Sequence, residues 1–248
     1  MNKEFAGFTD IHAHFLYGLD DGAKDRHEME AMLDAADADG ILSLFATPHV
    51  APGIEPFDRA LYRGRLEEAQ RYCHLKGYAL TLYSGAEILY TPALEQYALN
   101  HRLPTLAESD HVLVEFVPDV SYRELEAAVA YLERGGYIPV LAHVERYRCL
   151  YSGKHAVSLK ERRNVRYQMN ASTVLSSGGF FHRRILQGWI RCGLVDFVAS
   201  DAHDCNHRSF LIRKAYGALE RLYGRSEAMK LTGCLLYTSP SPRDRQKS

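Results

Sequence analysis

Short apolar runs alternate with amphipathic stretches along the whole chain, and no other feature limits its fold so tightly. Phe8–His12, Ile41–Thr47, Ala79–Tyr83, Asp110–Phe116, Tyr137–Ala142 and Leu194–Ala199 read as strands, with a weaker one at Val165–Asn170. Helical spacing fills Asp25–Asp39, Phe57–Lys76, Thr91–Leu99, Tyr122–Arg134, Arg183–Cys192 and Arg208–Tyr223. Asp25 is placed as an N-cap, and Gly40, Gly77 and Gly135-Gly136 stand where helices should stop. Strands separated by helices imply a parallel sheet. A length of 248 residues suits one barrel domain.

The strand ends carry the chemistry. Asp10-Ile11-His12-Ala13-His14 closes the first run, and two histidines two positions apart on a strand share a face. Asp21, His49, Glu87, Glu115, His143, Asp201 and His203 also follow apolar runs. Parallel barrels build their sites from the C-terminal ends of strands. An open doubly wound sheet draws on fewer ends. Six strand ends bearing candidates therefore favour a closed barrel. Each residue alone has a plain structural reading: Asp20-Asp21-Gly22 as a turn, Asp201-Ala202-His203 as a helix cap, His49 as a loop residue. Six coincidences at six ends are harder to accept, and an unpaired carboxylate inside a strand is costly.

Five imidazoles and four carboxylates exceed the needs of one ion. They are generous for two and suit three ions sharing a bridging carboxylate. Mixed nitrogen and oxygen ligation fits Mn, Fe or Zn rather than a thiolate-loving metal. Arg146 and Arg208 follow ligand candidates by a few residues, which hangs both over the same mouth. A guanidinium fork there suits a phosphate, although a solvated loop arginine is the plain alternative. His27, His74 and His155 show no such placement; His182 and His207 stay open.

Composition removes other classes. The net charge is −1, so nothing in the overall field suggests nucleic acid or an acidic membrane. No apolar run approaches a membrane span or the core of a signal peptide. The five cysteines, Cys73, Cys149, Cys192, Cys205 and Cys234, lack CxxC spacing, which argues for a reducing compartment and against a thiolate zinc site. None has arginine six positions on, so a Cys-x5-Arg phosphate loop is excluded. From about Cys234 the chain becomes rich in Ser, Pro and Arg and loses its periodicity. Residues 1–233 are taken as the domain, and 234–248 as a non-native or disordered tail resembling translated adapter sequence. On that reading a native C-terminus, with a piece of helix, is missing.

The ensemble Asp10-Ile11-His12-Ala13-His14, Asp20-Asp21-Gly22, Thr47-Pro48-His49, Gly85-Ala86-Glu87, Val114-Glu115-Phe116, Ala142-His143-Val144-Glu145-Arg146-Tyr147 and Ser200-Asp201-Ala202-His203 resembles the PHP (polymerase and histidinol phosphatase) superfamily. Within it, the likeness is to the CpsB/CapC manganese-dependent bacterial tyrosine-protein phosphatases, from about Phe8 to about Leu222. The resemblance implies a distorted (β/α)7 barrel, a single α/β domain holding three divalent ions, Mn2+ foremost with Fe or Zn as alternatives. It implies that His12, His14, Glu87 and Asp201 hold one ion. Glu87, Glu115 and His143 hold a second, and Asp21, His49 and His203 a third. Arg146 and Arg208 match phosphate-binding positions. The implied reaction is hydrolysis of phosphotyrosine by metal-activated hydroxide, in the cytoplasm, on a tyrosine kinase of polysaccharide export; a homo-oligomer is compatible. Three readings compete. One is a PHP phosphoesterase acting on a small phosphomonoester such as histidinol phosphate. Another is an amidohydrolase-like dinuclear enzyme, which would usually bring a carboxylated lysine where Glu87 stands. The third is a non-catalytic metal-binding module. The loop Ala51–Asp58 and the segment Tyr147–Asn164 are expected to shape the substrate entrance.

Overall fold

The structure, a computed structural model, describes residues 7–100, 103–176 and 180–233. The expected tail 234–248, including Cys234, lies outside these residues, as does the side chain of His182. Strand β1 (Phe8–Ala13) leads to helix α1 (Arg26–Ala38), then β2 (Ile41–Ala46) and the short β3 (His49–Val50). Helix α2 (Arg59–Lys76) follows, with β4 (Thr81–Ser84), β5 (Glu87–Leu89), α3 (Leu94–Leu99) and β6 (His111–Glu115). Next come α4 (Tyr122–Arg134), β7 (Ile138–Leu141), α5 (Lys154–Arg162), β8 (Arg166–Asn170) and α6 (Ala171–Leu175). The chain continues through α7 (Phe180–Arg191), β9 (Phe197–Ala199), α8 (Ile212–Tyr223) and α9 (Arg225–Thr232). Asp25 caps α1 as expected, accepting from Glu28 N–H at 2.9 Å. Asp58 caps α2, so that helix begins at Arg59 rather than Phe57. Segment 154–162, to which the sequence reading assigned no element, is helical.

All strand pairs are parallel. They form a three-stranded sheet, β1-β2-β4, and a six-stranded sheet, β3-β5-β6-β7-β8-β9. β3 continues the path of β2 past Thr47-Pro48, where proline lacks the N–H a ladder needs. β5 continues β4 past Gly85-Ala86. A side chain at Gly85 would meet Leu106 Cδ2 at 2.9 Å and Thr47 Cγ2 at 3.1 Å, so the two broken strands approach there only because the position is glycine. The nine segments thus make seven staves. Residues after β9 close the ring onto β1: Asp201 N–H donates to His12 O at 2.9 Å, and His14 N–H to Ala202 O at 2.8 Å. The expected seven-stranded barrel is present, distorted by the two breaks.

Alternation sorts the side chains. Leu44, Val112, Val114, Leu141, Tyr167, Met169 and Val198 face the surrounding helices in the larger core. Ile11, Phe45, Leu106, Leu113, Val140, Ala142 and Ala199 form a smaller inner cluster. Two positions further along the same inward series stand Glu115 after Leu113 and Asp201 after Ala199. The barrel interior is therefore apolar below and ionisable above. On β1 the register to β2 slips between Asp10 and Ala13. Such a bulge re-aims a side chain. Here Ile11 packs in the inner cluster while His12, its immediate neighbour, also reaches the pocket.

Candidate metal centre

All nine residues singled out in the sequence converge above the inner cluster. His12, His14, Glu87 and Asp201 place ligand atoms within 4.8 Å of one another, as do His14, Asp21, His49 and His203, and also His49, Glu87 and Glu115. His143 joins the last group, its Nε2 lying 2.9 Å from Glu87 Oε1 and 3.4 Å from Glu115 Oε1. The first group has the same four members that the resemblance implies. Of the other two, the Asp21 group gains His14 and the Glu115 group gains His49, because those imidazoles lie between neighbouring groups. Glu87 is central: Oε2 lies 3.2 Å from His12 Nε2, 3.4 Å from His14 Nε2 and 3.0 Å from His49 Nδ1. The floor is buried, whereas Asp21 at 62% exposure opens the rim.

Residues outside the nine aim the imidazoles. Asp20 Oδ2 accepts from His14 Nδ1 at 2.6 Å and from the His49 N–H at 3.0 Å. Gln168 Oε1 lies 3.1 Å from His12 Nδ1. With both Nδ1 atoms committed, the two Nε2 atoms face each other at 3.1 Å. Gly22 permits this loop, since a side chain there would lie 2.0 Å from His14 O. Asp10 accepts from the N–H groups of His12 and Ser200, tying β1 to the end of β9. Backbone strain sits at two of the nine positions, His143 (φ 30°) and Asp201 (φ 56°), both left-handed. Sequence reading passed over Asp20, Gln168 and Asn170. Asp20 was hidden in a doublet with Asp21, and the amides carry no charge to mark them.

The electrostatics call for cations. Burial opposes protonation of His12, yet Glu87 and Asp201 raise its pKa to about 10. Burial likewise opposes His49, but Glu87, Asp20 and Glu115 bring it up to about 9. Burial would raise Glu87; the surrounding imidazoles hold it well below the usual carboxylate range. Burial and the neighbouring His14 pull His203 down to about 4. Protons here stand where cations would sit. Glu87 Oε2 and His203 Nε2 are buried without a hydrogen bond, although an ion accepts such lone pairs directly. Cysteine is absent from the three groups, so the donor set suits Mn, Fe or Zn.

Ion binding must displace the protons on His12 and His49. Mn2+ loading of metal-free protein near pH 7.5 is therefore expected to release about two protons. Apparent affinity should rise with pH until these groups, at about 9 and about 10, have lost their protons. Calorimetry in buffers of different ionisation enthalpy measures this. Proton uptake would contradict it.

Arg146 and Arg208 reach the same mouth. Arg146 Nη2 donates to Asp201 Oδ2 at 3.0 Å, and Arg208 Nη2 lies 3.1 and 3.2 Å from the two Asp201 oxygens. Both arginine side chains are about two-fifths exposed, at 42% and 41%. His207 instead sits exposed on the turn made by Asp204, its N–H donating to Asp204 Oδ1 at 2.6 Å.

Barrel and pocket together define an α/β barrel protein whose strand ends gather histidines and carboxylates that could hold metal ions. Residues 8–234 match the family model described as capsular polysaccharide synthesis, CpsB/CapC. The chain belongs to this family. It is similar to tyrosine-protein phosphatase YwqE of Bacillus subtilis, with 31% identity over 90% of this chain and 88% of the relative. It is similar to tyrosine-protein phosphatase CpsB of Streptococcus pneumoniae, with 28% identity over 90% of this chain and 93% of the relative. A crystal structure from the pair YwqE and CpsB, described as metal-dependent tyrosine phosphatases, superposes with a TM-score of 0.80 at 29% identity, covering 89% of both chains. A lactonase of Listeria monocytogenes shares the fold alone, with a TM-score of 0.60 at 10% identity, covering 92% of this chain and 93% of that one. Among the described residues no helix is long and apolar enough to cross a membrane.

Proposed function

We propose that this chain is a metal-dependent protein-tyrosine phosphatase of a bacterial capsule or exopolysaccharide system. The observation that carries the reading is the convergence of nine ionisable residues on one pocket with buried, unpartnered ligand atoms, in a chain of this family. His12, His14, Glu87 and Asp201 would hold one ion; Glu87, Glu115 and His143 a second; Asp21, His49 and His203 a third, with Glu87 common to the first two sets. Three divalent ions are assigned, Mn2+ first and Fe or Zn as alternatives. Bound there, such ions supply Lewis acidity, lowering the pKa of water from 15.7 to about 7 and offsetting phosphoryl charge.

The chain's own groups do the rest. Arg146 and Arg208 present forked donors to phosphate oxygens. Their present partner, Asp201, is a proposed ligand, and a carboxylate engaged with an ion would hold the two guanidinium groups less tightly. The phenol released has a pKa near 10, so the tyrosine oxygen leaves as an anion with little help from an acid. A cysteine nucleophile finds no support, since burial pushes the Cys73 thiol up to about 11 and raises Cys149 and Cys205 as well. The substrate assigned is a phosphotyrosine protein, a tyrosine kinase of polysaccharide export, in the cytoplasm; self-association is compatible with the reading.

One panel tests this assignment. With Mn2+ present, kcat/KM for a phosphotyrosine peptide is expected to exceed that for histidinol phosphate by at least about tenfold. A preference for histidinol phosphate would move the chain to the small-phosphoester reading. Elemental analysis expects three ions per chain, and two would favour a dinuclear enzyme.

A further inference from the structure

Of the seven staves, β8 is the one whose end offers none of the nine residues. Its inward positions are Gln168 and Asn170, both buried. Buried amides must be hydrogen-bonded, and here the direction of each bond can be read. Gln168 Oε1 receives the His143 backbone N–H at 2.7 Å. A backbone N–H only donates, so that atom is the oxygen, and His12 Nδ1, 3.1 Å from it, carries the proton. Gln168 Nε2 donates to Asn170 Oδ1 at 2.8 Å, and Asn170 Nδ2 donates to Asp201 Oδ2 at 2.9 Å. The chain of bonds starts at one member of the His12, His14, Glu87, Asp201 group and ends at another.

We infer that Gln168 and Asn170 are positioning residues of the metal centre, a hydrogen-bonded strut that turns His12 Nε2 and Asp201 Oδ1 toward one cation. The inference rests on the metal-centre reading above. Both lone pairs of Gln168 Oε1 are taken, so Gln168 holds ligands rather than serving as one. Because Nδ1 carries the committed proton, Nε2 is the nitrogen left for an ion. Asn170 engages Asp201 Oδ2, and Oδ1 is the oxygen that lies 3.5 Å from His12 Nε2 and 3.7 Å from His14 Nε2. Partners that orient metal ligands in this way typically contribute about 10–100-fold in metal affinity.

The test is calorimetric titration of chelator-treated protein with Mn2+, a readout independent of turnover. Gln168→Leu keeps the bulk and removes both polar ends, and its tightest Mn2+ site is expected to weaken by about 10–100-fold. Gln168→Glu keeps the acceptor for His12 but loses the donor to Asn170 Oδ1, so it should recover part of the affinity and lose clearly less than Gln168→Leu. Asn170→Ala should lose about tenfold, and it carries the test alone if the leucine variant does not fold, as judged by a cooperative melt without metal. Wild-type affinity in Gln168→Leu and Asn170→Ala would overturn the inference. So would an equal loss in Gln168→Glu and Gln168→Leu, which would show that the acceptor for His12 contributes nothing. Wild-type protein that binds no Mn2+ would overturn the metal-centre reading instead.

Discussion

Chelation followed by dialysis is expected to lower phosphotyrosine hydrolysis to below about one thousandth of its starting rate, and Mn2+ to restore it. The ions supply several kcal/mol of charge stabilisation as well as the acidified water, and each 1.36 kcal/mol is a factor of ten. Nothing else in the pocket can replace them. Its imidazoles are held by Glu87, Asp201 and Asp20, and none of the described cysteines belongs to its three groups. The same treatment should lower the thermal midpoint, because a ligand present at 100 times its Kd stabilises the folded state by about 2.7 kcal/mol. Full activity in metal-free protein would sink the mechanism, and a loss that no divalent ion reverses would point to unfolding.

Glu87→Gln is expected to reduce kcat/KM by about a thousandfold, or about 4 kcal/mol. The substitution conserves shape, so what it removes is charge. Glu87 is 1% exposed and touches His12, His14, His49 and His143. The strongest attraction on a protonated His12 comes from its carboxylate. A neutral amide also turns one of the two oxygens into a donor, which cannot face a cation. Elemental analysis should show at least one ion fewer per chain, while the metal-free variant still melts cooperatively. Activity within tenfold of wild type, with all ions in place, would remove Glu87 from its bridging role.

The apolar runs marked all seven staves because each stave is sealed by helices on one face and by the inner cluster on the other. The two internal breaks were less legible. Thr47-Pro48 and Gly85-Ala86 look like strand ends in a linear reading, and only the fold shows the chain resuming its path at His49 and Glu87. Helix α5 escaped notice because it spans nine residues between polar turns. In the pocket, charged and imidazole side chains announced themselves, since their cost in an apolar context demands a reason. Gln168 and Asn170 did not, because a neutral amide within a weak strand looks like any other polar residue. Their meaning lies in bond direction, which sequence does not carry. The sharing of His14 and His49 between groups was equally hidden, as it depends on distances of a few ångströms.

The seam that closes the barrel joins positions far apart in the chain: Ser200 N–H donates to Asp10 Oδ1 across 190 positions. Asp201, His203 and Arg208 lie just beyond it. During synthesis from the N-terminus, the first histidines emerge long before the carboxylate that completes their group. A nascent chain or a fragment ending before residue 200 lacks Asp201, His203 and Arg208, so it has no finished cage. Catalysis is thereby timed to the last stage of assembly. Contacts of such long range are also slow to form, so refolding should restore helical signal before it restores turnover.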